Sequence, residues 1–212
     1  MALLGNACIP SERVPSEIFS SEGRKFLIAR PVNRVHRILC AMFIGLLSVA
    51  MPSARGQVAQ EYDLKAAIMK YFAAFVDWPT NAFPDPKSPI TIGVLGKDPF
   101  GKSLDIIVEG VIIRGRKLVV QRYKVVEEIK ICHILFISQS EMGKLSKIFA
   151  DLKGRHILTV GDNKSFARTG GIIEFEIVDG KPRLIINEDN AASEQLTIDS
   201  RLLKEAVLIK EK

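Results

Sequence analysis

The stretch PITIGVLGKDPFGKSLDIIVEG, residues 89–110, places a strand pattern, a turn and a helix pattern in direct succession. Its first part, 90–95, is a continuous apolar run, which is typical of a strand that is buried on both faces of a sheet. Asp98 and Pro99 then combine a preferred N-cap acceptor with the residue favoured at the first helical position, so we predict a helix over 99–109. A strand that runs directly into a helix is the repeating unit of a parallel sheet.

The same alternation of short apolar runs and helical patterns continues along the chain. The predicted strands are 90–95, 117–122, 133–137 and 156–160, and the predicted helices between them are 99–109, 125–129 and 141–152. Helices between strands imply crossover connections, and these place helices on both faces of a parallel sheet.

A further helix is predicted ahead of the first strand, over 61–76. The apolar residues that recur there at spacings of four, four and three are Leu64, Ile68, Phe72 and Phe75. This spacing indicates an amphipathic helix with one broad apolar face. Pro79 ends the helix, because proline disfavours helical backbone at the residue before it.

The pattern changes near the C-terminal end. Two β-rich runs over 172–187 are joined around Asp179 and Gly180, a pair that is a strong signal for a hairpin turn. A final helix is predicted over 200–207. The sequence therefore predicts an α/β fold with three layers: a mostly parallel sheet flanked by helices on both faces, with a C-terminal antiparallel hairpin on one edge. We expect one domain, over 57–212.

Residues 1–56 have the character of an export leader. The run ILCAMFIGLLSVAM, 38–51, carries no charge, basic residues precede it, and the small residues Ala54 and Gly56 precede a cut before Gln57. This pattern predicts a cleaved secretory signal peptide and a periplasmic protein. A transmembrane helix is the alternative, but the run is shorter than the roughly 20 apolar residues that a bilayer needs.

The charge balance changes once the leader is set aside. The whole chain has 30 basic and 24 acidic residues, and the leader holds seven of the former and three of the latter, which leaves 23 and 21. A domain with nearly equal numbers of basic and acidic residues lacks the excess of basic charge that is typical of a nucleic-acid-binding protein. We therefore expect no nucleic-acid partner.

Few residues of the domain suit catalysis or metal binding. Cys132 is the single cysteine after the leader, and its apolar setting predicts a buried thiol. His133 and His156 are predicted to lie at the edge of the core, and neither shares a metal-ligand spacing with a carboxylate cluster. Cys132 and His133 are adjacent and would point to opposite faces of a strand. The sequence predicts a binding domain rather than an enzyme, with no cofactor and no metal.

The segment GKDPFGKS, residues 96–103, matches the G-x-x-x-x-G-K-[ST] pattern of a phosphate-binding P-loop. A P-loop helix begins at its Gly-Lys-Ser and has backbone N–H groups ahead of it, whereas the helix predicted here begins at Pro99, which has no N–H. We therefore interpret the segment as a tight strand-to-helix turn in which Lys102 is a surface helix residue and Gly101 is needed for close packing. An NTPase is kept as the alternative.

Two surfaces are candidate binding sites. Open parallel sheets bind ligands beyond the carboxyl ends of their strands at a switch point. The residues that this rule places around a small-molecule cleft are Gly96, Lys97, Ser138 and Gln139. A protein-binding face needs apolar anchors with a polar rim, and segment 187–201 offers both. Its predicted partner-binding residues are Asn187, Glu188, Asp189, Leu196, Ile198, Asp199 and Arg201. In the alternative interpretation, Leu196 and Ile198 cover the sheet edge while the acidic residues face water.

Several blocks in a fixed order carry a resemblance to a known family. They are AAIMKYFAAFVDWP, ITIGVLGKDPFGKSLD, CHILFIS, HILTVGDNKSFARTGGIIEF and LIINEDNAASEQLTIDSRLLKEA. Together they resemble the YfiR family of exported bacterial proteins over nearly all of 61–207. The resemblance implies that the Gly-x-Asp-Pro-Phe-Gly turn is a feature of the scaffold.

The resemblance also implies a function. A member of this family would be a non-enzymatic periplasmic repressor and a homodimer. It would bind the sensor region of an inner-membrane diguanylate cyclase and so control cyclic di-GMP and biofilm formation. Better-known relatives carry several cysteines whose disulfides link repression to redox state, whereas here Cys132 stands alone, so such control by an internal disulfide is not expected. The alternatives are another membrane sensor as partner, such as a histidine kinase, and a periplasmic small-molecule-binding module.

Overall fold

The computed structural model describes residues 54–178 and 181–210, and every structural statement below concerns these residues. The helices are α1 (Ala54–Phe75), α2 (Ser103–Val108), α3 (Leu145–Leu152), α4 (Glu188–Ser193) and α5 (Ser200–Lys204). The strands are β1 (Val76–Asp77), β2 (Ile90–Leu95), β3 (Ile112–Ile113), β4 (Arg116–Tyr123), β5 (Ile134–Ile137), β6 (Leu158–Gly161), β7 (Ile173–Val178), β8 (Lys181–Asn187), β9 (Thr197–Ile198) and β10 (Ala206–Ile209). Short 3₁₀ helices span Thr80–Ala82, Val126–Glu128, Gln139–Lys144 and Phe166–Arg168.

Eight strands form one mixed sheet, in the order β10-β8-β7-β6-β5-β2-β4-β3. The neighbours from β4 across to β7 are parallel, while β7 and β8 form an antiparallel hairpin. Beyond the hairpin, β10 adds to β8 in parallel. β1 and β9 form a separate antiparallel ladder in which Val76 pairs with Ile198 and Asp77 with Thr197. The predicted α/β class, the mostly parallel sheet and the hairpin are confirmed.

Side chains of the central strands alternate between two hydrophobic clusters, one on each face of the sheet. Ile92 and Phe136 belong to the cluster beneath α1 and α2. Leu135 and Ile137 belong to the cluster that packs against α3. Because neighbouring strand residues point to opposite faces, a continuous apolar strand serves both clusters, and the predicted three-layer arrangement follows.

The first helix, α1, turns a different face to the core than the sequence predicted. Its fully buried apolar side chains are Ala66, Met69, Phe72 and Ala73. Of the predicted apolar face, Leu64 is exposed and both Ile68 and Phe75 are half-buried. Lys65 is buried instead, because its ammonium group lies 2.6 Å from Glu61 and 2.7 Å from Asp162. A charged residue can occupy a core position when it is paired in this way.

The helix also begins earlier than predicted, at Ala54. The predicted cut after Gly56 therefore lies inside α1 and would remove its first three residues. The rest of the predicted leader, residues 1–53, lies outside the described residues. None of the described helices is long and apolar enough to cross a membrane.

The predicted start of α2 at Asp98 and Pro99 is wrong, since the helix begins at Ser103. Gly101 has φ +55°, a left-handed value that an α-helix cannot contain, and the side chain of Phe100 is buried in the core. Any side chain at Gly101 would meet open space, so this glycine is needed for its backbone conformation and not, as predicted, for close packing.

Three other predicted helices are shorter than expected. The pattern at 125–129 forms only the 3₁₀ helix Val126–Glu128, and the pattern at 141–152 divides into a 3₁₀ helix followed by α3. The final helix ends at Lys204, and Ala206–Ile209 is the strand β10. Ile209 is buried where β10 pairs with β8, so tertiary pairing overrides the helical pattern there.

Candidate partner-binding surface and neighbouring cavities

The P-loop-like turn has its backbone donors occupied by the protein itself. The N–H of Gly96 donates to the carbonyl of Tyr123 at 2.9 Å, and the N–H of Lys97 donates to Ser140 Oγ at 3.0 Å. The N–H of Phe100 donates to Asp98 Oδ1 at 2.7 Å. In a phosphate site, backbone N–H groups converge on the ligand. Here the three N–H groups bond to other atoms of the protein, as is typical of a structural loop.

Arg122 fixes the same turn from the neighbouring strand. Its guanidinium group donates to Asp98 Oδ2 at 2.7 Å, to the carbonyl of Gly101 at 2.7 Å and to the Asp105 carboxylate. The hydrogen bond from Arg122 is the main reason that the pKa of Asp105 is lowered. Arg122 therefore links the turn to the first turn of α2 through the carboxylates of Asp98 and Asp105.

The residues predicted to line a small-molecule cleft lie at the ends of β2 and β5. Any side chain at Gly96 would clash with the Ser140 hydroxyl and with Glu141. Ser138 is buried and begins the 3₁₀ helix that follows β5, while Lys97 and Gln139 are exposed. The residues do lie together, and a ligand at this place stays a prediction, but the four cavities described below are lined by other residues.

The predicted partner segment forms one side of a groove. Its volume is about 360 Å³, and it lies between α4, β9 and the residue after β10. The lining residues are Glu188, Asp189, Ala191, Ala192, Leu196, Thr197, Ile198 and Lys210. Four of the seven predicted partner-binding residues therefore line one surface feature, together with small and charged side chains.

Three of the predicted residues have structural tasks. Asn187 is buried: its Oδ1 accepts from the N–H of Asn190 and caps α4, and its Nδ2 donates to the carbonyl of Ala167, both at 3.0 Å. Leu196 and Ile198 are 5% and 9% exposed and belong to the main hydrophobic cluster. They shape the floor of the groove and offer a partner little apolar surface of their own.

Asp199 and Arg201 follow β9 in the chain and do not line the groove. Asp199 Oδ1 accepts from the N–H of Arg201 at 2.8 Å and so caps α5, and its other oxygen lies 2.7 Å from the Arg201 guanidinium. The hydrogen bond from Arg201 lowers the pKa of Asp199 to about 2, with a contribution from the charge of Arg114. The Arg201 guanidinium also lies over the ring of Phe75, at 5.2 Å from its centroid.

A larger cavity that the sequence did not predict lies on the other side of the β1–β9 ladder. Its volume is about 450 Å³, at the amino ends of β2 and β4. The lining residues are Ala73, Val76, Asp77, Trp78, Thr80, Phe83, Pro84, Asp85, Pro86, Ile90, Arg114 and Arg116. The groove and this cavity share one structural element, because β9 lines the first and its partner β1 lines the second.

Two arginines border this cavity. Arg114 lies in a tight turn with φ +53° and is paired with Asp77, and it donates to the carbonyl of Ala74 at 3.0 Å near the end of α1. Arg116 stacks on Phe83, with 3.7 Å to the ring centroid, and donates to the carbonyl of Ser88 at 2.7 Å. The guanidinium N–H groups of both arginines therefore bond to backbone carbonyls near the cavity and fix its wall.

His133 and Cys132 behave as core residues, as predicted. His133 Nδ1 accepts from the N–H of Thr91 at 3.0 Å, and its ring stacks on Phe83 with 4.4 Å between centroids. Burial lowers the pKa of His133 to about 4 and raises the pKa of the Cys132 thiol to about 12. Both groups are therefore neutral near pH 7. His156 is half-buried, with Nδ1 2.9 Å from the carbonyl of Glu194.

Two further cavities lie elsewhere on the described part of the protein. One, of about 310 Å³, lies between Phe149 and Asn190, and the other, of about 400 Å³, lies between Lys130 and His156. Within 54–178 and 181–210, no group of three or more metal-ligating side chains is assembled.

The fold and these surfaces define an α/β domain built on a mixed eight-stranded sheet. Residues 62–207 match the YfiR/HmsC-like family, and the chain belongs to that family. A comparison with curated proteins found no match.

Two solved structures are similar to this chain over part of their length. One is the ABC domain in complex with L-Trp from Streptococcus pneumonia, at 15% identity and a TM-score of 0.47, covering 68% of this chain and 60% of that chain. The other is a conserved domain protein from Vibrio cholerae O1 biovar El Tor, at 14% identity and a TM-score of 0.46, covering 71% of this chain and 60% of that chain.

Proposed function

We propose that this protein is a non-enzymatic periplasmic regulator that binds and represses the sensor region of an inner-membrane diguanylate cyclase. Family membership supports the class of function. The observation that carries the choice of surface is the groove between α4 and β9, since it gathers four of the predicted partner-binding residues in one concave feature. Lower cyclic di-GMP and reduced biofilm formation are the expected consequences of repression.

Two further properties belong to this proposal. The protein reaches the periplasm through its leader, which is cleaved near Gly56 and Gln57, and mass spectrometry of the native protein would find an N-terminus there. It acts as a homodimer.

The chemistry of the groove fits a short segment of a partner. The small side chains Ala191 and Ala192 and the opposite charges of Glu188 and Lys210 belong to its lining. Interfaces of this kind combine a desolvated centre with a polar rim. A partner segment with one apolar side chain and a basic residue beside it would complement the groove.

Co-purification tests the proposal. The protein is expressed with the periplasmic region of a cyclase encoded beside it, as wild type and as Glu188→Lys, Asp199→Lys and Ala192→Trp. Asp151→Lys is the control, because Asp151 is an exposed acid on α3, against the opposite face of the sheet. We expect the groove-lining variants Glu188→Lys and Ala192→Trp, and the neighbouring variant Asp199→Lys, to lose the complex and the control to keep it. If all four variants bind as wild type does, the partner face lies elsewhere.

A second candidate function is small-molecule binding at the cavity of about 450 Å³ beside Trp78 and Phe83. Its size and its mixed apolar and arginine lining are typical of ligand sites. Thermal-shift screening with nucleotides, amino acids and peptidoglycan fragments would test it. A ligand that stabilises the wild type but not Phe83→Ala would support small-molecule binding. If no compound raises the melting temperature, protein binding alone is favoured.

A further inference from the structure

Positive charge lines the cavity of about 400 Å³ at the amino ends of β5 and β6, which we call the basic cavity. Its charged lining residues are Lys130 and Arg155, and none of the described residues that line it is acidic. Asn81 and His156 add polar groups to the lining. The volume lies within the range of sites that hold small molecules, so the basic cavity combines space for a ligand with two cationic side chains.

Arg155 is half-buried and has no carboxylate partner among the described residues. Ion pairs with an aspartate or glutamate are formed by four other arginines, Arg114, Arg122, Arg183 and Arg201. A guanidinium group that is partly removed from water is usually paired in this way. The Nη2 group of Arg155 donates to the carbonyls of Ile129 and Lys130, whereas its Nε and Nη1 groups bond to no described residue. These two groups are therefore available to an anion.

The loop that carries Arg155 is held in a fixed conformation by Glu194, which lines a different cavity. Glu194 Oε1 accepts from the N–H of Gly154 at 2.9 Å, and its Oε2 accepts from the N–H of His156 at 3.0 Å. His156 has φ +56°, a left-handed value that residues other than glycine seldom adopt. Such a conformation persists only where its surroundings fix it, so the loop presents Arg155 to the basic cavity in a defined position.

Asn81 adds a neutral donor beside the two cations. His156 Nδ1 lies 2.9 Å from the carbonyl of Glu194, so this nitrogen carries the proton and donates. In the neutral ring Nε2 is then an acceptor, and it lies 3.3 Å from Asn81 Nδ2. An amide group has two N–H donors, so one of them bonds to His156 and the other is free to bond to a ligand.

We propose that the basic cavity binds the phosphate group of a phosphate monoester. Such a group carries roughly two negative charges near pH 7 and therefore matches Lys130 and Arg155 together, whereas a carboxylate would leave one of the two cations unpaired. Guanidinium and ammonium groups are the usual donors to phosphate oxygens. The apolar part of the lining, which would contact the organic part of the ligand, is Ala82, Pro84 and Ile131. This site is separate from the groove and does not depend on cyclase binding.

Isothermal titration calorimetry of the purified protein with glycerol 3-phosphate, in a phosphate-free buffer of low salt, tests the proposal. We expect saturable binding that Lys130→Gln and Arg155→Gln each weaken roughly tenfold or more, because each removes a hydrogen bond between opposite charges. Lys130 is exposed and its side chain bonds to no described residue, so Lys130→Gln should fold even if Arg155→Gln does not. Circular dichroism checks the fold of every variant.

Lys102→Gln is the control. Lys102 is an exposed lysine in the P-loop-like turn, at the carboxyl end of β2, whereas the basic cavity lies at the amino ends of β5 and β6. We expect this variant to bind glycerol 3-phosphate as the wild type does. Binding that is lost in Lys102→Gln would assign the phosphate to the turn and overturn the proposal.

Two further probes define the ligand. Glycerate, a carboxylate of similar size, should bind at least roughly tenfold more weakly than glycerol 3-phosphate, and equal affinity would overturn the choice of phosphate. Phosphatidylcholine vesicles that contain phosphatidic acid present a phosphate monoester on a lipid. Binding to these vesicles alone, abolished by Lys130→Gln, would support the site and identify a lipid headgroup as the source of the phosphate. If neither probe binds, or if neither Lys130→Gln nor Arg155→Gln weakens binding, the proposal is wrong.

Discussion

The backbone N–H of Asp199 donates to the carbonyl of Phe75 at 2.8 Å, so the C-terminal segment is hydrogen-bonded to the last turn of α1. The β1–β9 ladder continues this contact through Val76 and Ile198. The groove and the larger cavity lie on either side of this junction. One contiguous packed element therefore joins the two cavities.

Asp199 should act at this junction mainly as a helix cap. Asp199→Ala removes the acceptor for the Arg201 N–H and should lower the free energy of unfolding by about 1 kcal/mol. Asp199→Asn keeps a capping oxygen and should stay within about 0.5 kcal/mol of wild type. Urea unfolding measures both. Equal losses in the two variants would show that the charge, and not the cap, is what stabilises α5.

The buried pair of Lys65 and Asp162 should be costly to break from one side. Asp162→Ala leaves the Lys65 ammonium group buried with Glu61 alone and should destabilise the protein by about 3 kcal/mol. The double variant Lys65→Met/Asp162→Leu removes both charges and should recover much of that loss. Thermal unfolding of the three proteins measures the difference. A double variant no more stable than Asp162→Ala would contradict this account of the core.

This pair also shows where prediction from sequence fails. The strands β2, β5 and β6 were predictable because runs of mainly apolar residues report burial on both faces. The buried face of α1 was not, because the residue that admits Lys65 to the core, Asp162, lies 97 positions away in the sequence. Local periodicity carries no signal for such a partner.

Of the candidate binding surfaces, too, one could be predicted from the sequence and one could not. Segment 187–201 could be found by its mixture of small, apolar and acidic residues. The cavity beside Trp78 could not, because Phe83 and the arginines Arg114 and Arg116 come together only when the sheet forms. The aromatic and proline-rich loop at 78–89 was the one local signal.

Arg122 should stabilise the P-loop-like turn, whereas Lys102 should contribute little to its stability. Lys102 is exposed, so Lys102→Ala should change the free energy of unfolding by no more than about 0.5 kcal/mol. Arg122→Ala removes donors to Asp98, Asp105 and Gly101 and should cost about 1 kcal/mol. Chemical denaturation compares them. Magnesium-dependent ATP binding that disappears in Lys102→Ala would revive the NTPase alternative.

His133 should make stability fall with acid in a defined window. Its pKa is about 4 in the folded protein, against an ordinary value of 6.5, so the unfolded chain binds a proton that the folded one does not between these limits. Stability contributed by neutral His133 is complete above pH 6.5 and is lost as the pH falls towards 4, by up to about 3 kcal/mol. The lowered pKa of the Asp199 carboxyl group affects stability only when the pH falls below 3.8, the ordinary pKa of aspartate.

Stability measured from pH 7 to pH 4.5 in wild type and His133→Asn would check this. Asparagine keeps an acceptor for the Thr91 N–H but does not titrate, so the variant should be less stable at pH 7 and should show a flatter pH profile. Parallel profiles in the two proteins would mean that His133 is not the group responsible.

Hydrogen–deuterium exchange of the protein, alone and with the cyclase sensor region, tests the central claim most directly. Our account predicts slower exchange on binding in peptides that cover 187–201. Protection confined to 78–89, to the outer face of α1 or to no region at all would contradict the assignment of the groove as the partner surface.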